Sequence, residues 1–243
     1  MALTHEALPV THPDHSAPLS RTTKLILLGL LGLGLLILVA VLWFTIAQPV
    51  QVLPRIRALP SFVLQDQYAL PLHESDLRGR MVLINFTYTG CTDACAAQRE
   101  ALVTLRETLR ADGRLGRELI FLTISFDPER DSSMVLQTYA AQLGAERNSW
   151  RFATGDPAEL KALIGGELGI YYGLPDATGR IEHEQQLLLI DGNGQLRARY
   201  DGQGIKQERL LRDLGMIREE LGSSGLMRQI YEASHLFLCY PPD

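Results

Sequence analysis

The sequence predicts an α/β domain with a mixed β-sheet, preceded by a single transmembrane helix. From residue 61 onward, short apolar runs alternate with stretches of helical periodicity, a pattern typical of sheets whose strands are connected by helices. Residues 191–194 (Asp-Gly-Asn-Gly) separate two apolar runs and predict a β-hairpin, which makes the sheet mixed. Residues 25–47 carry no charge, and such a helix, rising about 1.5 Å per residue, spans a hydrocarbon core of roughly 30 Å.

The amino-terminal part is predicted to be a membrane anchor between two polar segments. Residues 1–24 are polar and proline-containing, and we expect a disordered cytoplasmic tail. Residues 25–47 are longer than the apolar region of a cleaved signal peptide, about 7–15 residues, which favours a persistent anchor. Small residues at Thr45 and Ala47 leave late cleavage as the alternative. Residues 48–59 contain prolines and are predicted to be a linker.

The charges near the anchor give the expected orientation. Arg21 and Lys24 precede the apolar segment and Arg55 and Arg57 follow it, so a count of cations alone is a tie. Because the first two cations abut the apolar segment on a short tail, we expect a single-pass protein of the bacterial inner membrane with its domain in the periplasm.

The net charge of −5 and the lack of a basic run argue against nucleic acid as a partner.

Residues 60–221 are predicted to form the folded domain and residues 222–243 a carboxyl-terminal tail. The almost continuously apolar runs predict buried strands, and the amphipathic stretches predict helices. The predicted strands are 61–64, 81–86, 119–126, 185–190 and 195–200, and the predicted helices are 93–110, 132–143, 157–168 and 205–221. Since sites in open α/β sheets lie beyond the carboxyl ends of the strands, the loop after Phe86 is the expected place for chemistry.

That loop contains two of the three cysteines in the chain, Cys91 and Cys95. Three cysteines are too few for a disulfide-stapled fold, so the close pair indicates redox or metal chemistry. Cys95 is predicted to lie in the first turn of the following helix, where backbone amides favour a thiolate. Thiolates are soft ligands that select copper(I) or zinc, although a structural disulfide is the alternative.

A metal needs a further ligand, and His183 is the best placed of the six histidines. It ends a loop containing glycine and proline and comes just before a predicted buried strand. A lone histidine in such a place is usually structural, but its position near the expected active edge favours a ligand. The others are predicted to be tail or surface residues: His5, His12, His15, His73 and His235.

Four motifs occur in order over roughly residues 60–202. Residues 86–91 (Phe-Thr-Tyr-Thr-Gly-Cys) lead into a C-x-x-x-C motif, and residues 127–131 read Asp-Pro-Glu-Arg-Asp. The third motif contains Trp150, Phe152, Thr154 and Gly155, and in the fourth His183 precedes a strand that ends at Asp191 and Gly194. In this order the motifs resemble those of the Sco (SenC) copper chaperones, from whose pattern the sequence departs at Ala96, usually proline, and at Glu184, usually a small residue.

The resemblance implies a thioredoxin-like fold and copper ligands Cys91, Cys95 and His183. Two thiolates and an imidazole suit three-coordinate copper(I) and also copper(II) with an added oxygen ligand, whereas zinc favours a fourth protein ligand. The implied partner is the copper-bearing subunit of cytochrome c oxidase or another copper chaperone. Asp127 and Asp131 are candidates for orienting the site, with helix capping as the alternative.

Three functions use the cysteine pair: copper metallochaperone, thiol–disulfide reductase, and redox or copper sensor. The metallochaperone is favoured, so we do not expect an enzyme, and a peroxidase is disfavoured by the residues around Cys91. A second metal site at His235 and Cys239 is less favoured than an amphipathic tail that covers the domain or enters the membrane, because one histidine and one cysteine form an incomplete ligand shell.

Overall fold

A computed structural model describes residues 20–47, 51–92, 95–202 and 206–237. The expectations for most of the amino-terminal tail, for its three histidines and for Cys239 lie outside the described residues. The chain divides into two compact units, residues 1–49 and 50–243. In the first unit, helix α1 (Arg21–Ala47) is long and apolar enough to cross a membrane over Arg21–Trp43.

Helix α1 begins four residues before the predicted apolar segment. Ser20 caps it, because the Ser20 hydroxyl accepts from the Thr23 amide at 3.2 Å and the Ser20 carbonyl accepts from the Lys24 amide at 3.0 Å. A serine in this position satisfies amide donors that have no partner within the helix, so the two cations of the tail join the first helical turn.

The second unit is built on a curled eight-stranded sheet and a separate two-stranded ribbon, which together contain ten strands among the described residues. Strands are β1 (Arg57–Ala58), β2 (Val63–Asp66), β3 (Pro71–His73), β4 (Met81–Thr87), β5 (Leu119–Ser125), β6 (Trp150–Thr154), β7 (Tyr172–Pro175), β8 (Ile181–His183), β9 (Gln186–Ile190) and β10 (Gln195–Asp201). The sheet order is β1-β10-β9-β4-β5-β6-β2-β3, and β7 pairs with β8 in a separate antiparallel ribbon. The β4–β5 and β5–β6 pairs are parallel, whereas β9 and β10 form the predicted antiparallel hairpin.

Helices cover both faces of this sheet, as its apolar central strands require. They are α2 (Ala96–Ala111), α3 (Ser133–Gln142), α4 (Pro157–Leu160, continued by a π-helical segment Lys161–Glu167) and α5 (Gln207–Gly222). Helix α6 (Gly225–Phe237) follows α5. Successive β4 side chains point to opposite faces, so Ile84 packs in the core on the α4 side and Leu83 in the core with α2 and α5. Every residue of β4 and β5 is buried, which confirms the predicted central strands.

Two local predictions are wrong. Helix α2 begins at Ala96 rather than in the cysteine loop, so Cys95 is the residue that precedes the helix instead of lying in its first turn. The loop expected before His183 instead contains the β7–β8 ribbon, and His183 is the last residue of β8. The predicted helix 157–168 is confirmed as a helix that ends at Glu167, although only its first four residues are α-helical and the remainder is π-helical.

Candidate metal centre

The two cysteines lie in the loop that connects β4 to α2, at the carboxyl end of the parallel strands. The Cys91 amide donates to the Tyr88 carbonyl at 3.0 Å, which turns the chain back toward the sheet. Both cysteines are buried and form a disulfide with each other. The pair is therefore seen in its oxidised form, and reduction would place two sulfurs at the amino-terminal end of α2.

His183 reaches the pair from the β7–β8 ribbon. Its Nδ1 lies 3.0 Å from the Ile181 carbonyl oxygen, and its Nε2 lies 3.4 Å from the Cys95 Sγ. Because a carbonyl can only accept, Nδ1 is the protonated nitrogen and Nε2 presents its lone pair to the sulfur. The ring is half-buried against Phe126, with centroids 5.0 Å apart, and edge-on to Tyr88 at 5.9 Å.

Cys91, Cys95 and His183 thus form a cluster whose Sγ and Nε2 or Nδ1 atoms all lie within 4.8 Å of one another. Among the described residues, this is the group of histidine, cysteine and acidic side chains with a geometry suited to a metal. Two sulfurs and one imidazole nitrogen are soft donors, so the chemistry of the donor set fits copper(I) best. The rings of Phe126 and Tyr88 pack against His183 beside the cluster.

Tyr88 connects the cysteine loop to the histidine ribbon, a role that the sequence motif did not reveal. Its hydroxyl accepts a hydrogen bond from the Ile181 amide at 3.1 Å, and its ring packs against Phe126 at 5.6 Å. The amide belongs to the same ribbon as His183, two residues away. Tyr88 therefore sets the distance between the two parts of the chain that contribute ligands.

Asp131 holds the cysteine loop in place through hydrogen bonds from Thr89. Its buried carboxylate accepts from the Thr89 amide at 2.8 Å, from the Thr89 hydroxyl, and from the Ser125 hydroxyl at 2.5 Å. The cap of α3 is instead Ser132, whose hydroxyl accepts from the Val135 amide. Asp131 thus contacts the residue two positions before Cys91, and its described hydrogen bonds support positioning of the loop.

Asp127 lies on the side of the site formed by the β7–β8 ribbon, which it contacts through Arg130. It pairs with Arg130, whose guanidinium lies over the Tyr88 ring at 5.6 Å and donates to the Gly179 carbonyl at 2.7 Å. Burial raises the pKa of the Asp127 carboxyl, which outweighs the opposite effect of Arg130. Through Arg130, Asp127 braces the turn between β7 and β8, the ribbon that positions His183.

The remaining described histidines lie elsewhere. His73 is exposed at the end of β3, as expected for a surface residue. His235, on α6, contacts Glu220 of α5 through Nε2 at 2.9 Å. With the ion pair between Arg55 and Glu232 at 2.9 Å, this contact places α6 against the domain.

Together, the fold and the site define a thioredoxin-like domain in which a disulfide-bonded cysteine pair and a histidine converge. The sequence profile of the SCO1/SenC family matches residues 53–218, and the chain belongs to that family. A relative from Stutzerimonas stutzeri, named a candidate copper-binding protein, is 31% identical over 151 residues, or 61% of this chain and 71% of that protein.

Two solved structures show the same fold. BsSco, described as a member of the Sco family of cytochrome c oxidase assembly proteins with a disulfide switch, aligns with a TM-score of 0.61 and 20% identity over 69% of this chain and 98% of BsSco. The copper-bound structure of Bradyrhizobium japonicum ScoI aligns with a TM-score of 0.54 and 26% identity over 65% of this chain and 98% of ScoI.

Proposed function

We propose that this chain is a membrane-anchored copper metallochaperone that supports metallation of the binuclear copper site of cytochrome c oxidase. The observation that carries the proposal is the convergence of Cys91, Cys95 and His183 donor atoms within 4.8 Å. The candidate copper-binding relative, the copper-bound ScoI structure and the oxidase-assembly role of BsSco support copper as the cargo. The partner would be the copper-bearing oxidase subunit, which receives the copper, or another copper chaperone.

Loading requires reduction first. Two donor thiols reduce the disulfide to two cysteine thiols and become a disulfide themselves, and copper(I) then displaces protons from the cysteine sulfurs. His183, held by the contact of its Nδ1 with the Ile181 carbonyl, would supply Nε2 as the third ligand. Release follows by ligand exchange, in which donor groups of the acceptor replace the three ligands one at a time, and no bond of a substrate is broken.

The anchor gives the chaperone its place in the cell. We infer that α1 spans the bacterial inner membrane, with the amino terminus in the cytoplasm and the domain in the periplasm. The length and apolar composition of α1 support a membrane span. The cations in its first turn support the orientation. A domain tethered on that side has direct access to membrane-bound oxidase subunits.

The disulfide itself favours a second candidate, a thiol–disulfide reductase that acts on cysteines of a target protein. In that function Cys91 and Cys95 would exchange electrons with the target, and His183 would not be needed as a ligand. A sensor of copper or redox state would use the same residues. Copper binding distinguishes the chaperone from the reductase, because only the former requires all three donors.

The chaperone proposal and the orientation are tested together by thiol labelling of spheroplasts that contain the full chain. The cells are treated with a membrane-impermeant reductant and then with a small charged methanethiosulfonate, with or without copper(I), before mass spectrometry. We expect Cys91 and Cys95 to be labelled from outside the cytoplasm and to be protected at least tenfold by stoichiometric copper(I), because a metal-bound thiolate is a poor nucleophile.

Cys239 lies outside the motif and serves as the internal control whose labelling copper should leave unchanged. Equal labelling of the pair with and without copper would reject copper binding there and favour the reductase. Labelling that appears only after the membrane is permeabilised would reject the orientation.

A further inference from the structure

Thr87 is a buried polar residue at the carboxyl end of β4, directly beside the cysteine pair. Its side chain is only 6% exposed. The hydroxyl lies 3.5 Å from the Cys95 Sγ and 3.4 Å from the Tyr88 carbonyl oxygen. Hydrogen bonds to sulfur are longer than those to oxygen, so both contacts are within reach of a single hydroxyl proton.

The two acceptors differ in how they respond to reduction. The Tyr88 carbonyl already accepts the Cys91 amide at 3.0 Å, and its acceptor strength is the same in both redox states. A disulfide sulfur is a weak acceptor, whereas a thiolate is a charged one and forms a stronger hydrogen bond. The Thr87 hydroxyl therefore gains a better partner in Cys95 when the pair is reduced or binds a metal.

We propose that Thr87 is a positioning residue whose hydroxyl holds the Cys95 sulfur through a hydrogen bond that strengthens on reduction. This bond makes the Cys91–Cys95 disulfide easier to reduce and weakens electron donation from Cys95 to a bound metal. Hydrogen bonds to ligand sulfurs tune metal centres in this way. The part concerning the disulfide stands on the structure alone, and the part concerning the metal rests on the proposed copper function.

The direction of the change in the reduction equilibrium depends on which redox state the hydrogen bond stabilises. The sulfur of reduced Cys95 accepts this hydrogen bond better than a disulfide sulfur does, and best as a thiolate, so the equilibrium of the disulfide plus two glutathione thiols with the reduced pair plus glutathione disulfide shifts toward the reduced pair. Removing the hydroxyl reverses the shift. In a copper(II) complex, the same loss raises the energy of the sulfur electrons, so sulfur-to-copper charge transfer requires less energy.

The test compares Thr87→Val, which keeps the shape and removes the donor, with Thr87→Ser, which keeps the donor. Thr154→Val is the matched control, because Thr154 is also a buried threonine at a strand end, and its hydroxyl donates to the Ser125 carbonyl at 3.2 Å rather than to sulfur. Each full-length variant is equilibrated in detergent with glutathione redox buffers, and the thiol fraction is measured by alkylation and mass spectrometry.

For Thr87→Val we expect the equilibrium constant for reduction to fall about tenfold, which corresponds to about 30 mV. The Thr87→Ser and Thr154→Val variants should stay within about twofold of the wild type. An unchanged constant in Thr87→Val, or an equal fall in Thr87→Ser, would overturn the inference. The second result would mean that packing rather than the hydrogen bond sets the equilibrium.

The copper(II) charge-transfer absorption gives an independent readout in the same variants. We expect the band to move to lower energy in Thr87→Val and to return in Thr87→Ser. If the glutathione equilibrium shifts as expected but wild-type protein binds no copper, Thr87 keeps its role and the proposed function fails. If copper binds but neither the equilibrium nor the band responds to Thr87→Val, the function stands and the role of Thr87 fails.

Discussion

In a His183→Ala variant, copper(I) affinity is expected to fall by more than about a hundredfold. Loss of residues that merely support a ligand costs 10–100-fold, and His183 would be a ligand itself. Its Nε2 lies 3.4 Å from Cys95 Sγ, and alanine leaves two sulfurs with no third donor among the described residues of the cluster. Reduction of the disulfide by glutathione should persist, because both cysteines remain.

The measurement is competition against a copper(I) chelator of known affinity, alongside glutathione reduction of the same full-length protein. His73→Ala is the control, because His73 is exposed and lies outside the cluster, so its affinity should match the wild type. Unchanged copper affinity in His183→Ala would remove His183 from the ligand set. Loss of disulfide exchange together with copper binding would indicate that the variant damages the site generally.

An Arg197→Ala variant is expected to lose about 3–5 kcal/mol of unfolding free energy. Arg197 is fully buried in β10, where it pairs with Asp191 at 2.9 Å and with Glu220 of α5. It also donates to the carbonyl of Leu53 at 2.8 Å. Removing Arg197 leaves both buried carboxylates without their shared guanidinium, and breaking a buried ion pair in this way carries a cost of this size.

Acid should weaken the same network. Burial alone would raise the pKa of Glu220, but hydrogen bonds from Arg197, Arg55 and His235 outweigh it and hold the pKa below its ordinary value of 4.5. A carboxyl whose pKa is depressed on folding contributes its full stability above the unfolded value and loses it as the pH falls through the folded value. Wild-type stability should therefore drop below about pH 4.5, and Arg197→Ala should flatten this part of the profile.

Urea unfolding of the full chain in detergent, followed by the fluorescence of buried Trp150, measures both effects. Arg117→Ala is the control: its side chain is 73% exposed and lies 3.9 Å from Glu118, so the change should stay below about 1 kcal/mol. A change of that small size in Arg197→Ala would show that the buried ions contribute little to stability.

The sequence predicted best the elements whose structure is determined by residues close to one another in the chain. Strands β4 and β5 are continuous apolar runs because helices cover both their faces. The β9–β10 hairpin turns at Gly194, whose φ of 75° suits glycine. The four motifs predicted the family by resemblance, and that resemblance implied the thioredoxin-like fold.

The features that sequence missed depend on contacts between distant residues. The β7–β8 ribbon is short and half-exposed, so no apolar periodicity marks it, although it positions His183 beside Cys95. Arg197 lies in a strand pattern where a cation normally faces water, and its burial depends on Glu220, 23 residues later. Thr87 likewise gains its contact with Cys95 only when the loop folds back over β4.

The proposed function requires that the reduced cysteine pair and His183 hold one copper ion. The most direct test is the amount of copper(I) that the full-length protein retains in detergent after passage over a chelating column. We expect about one copper per chain for the reduced wild type, and essentially none when Cys91 and Cys95 are oxidised, because the disulfide consumes both sulfur donors. Equal copper retention by the oxidised protein, or by a Cys91→Ser, Cys95→Ser double variant, would contradict it.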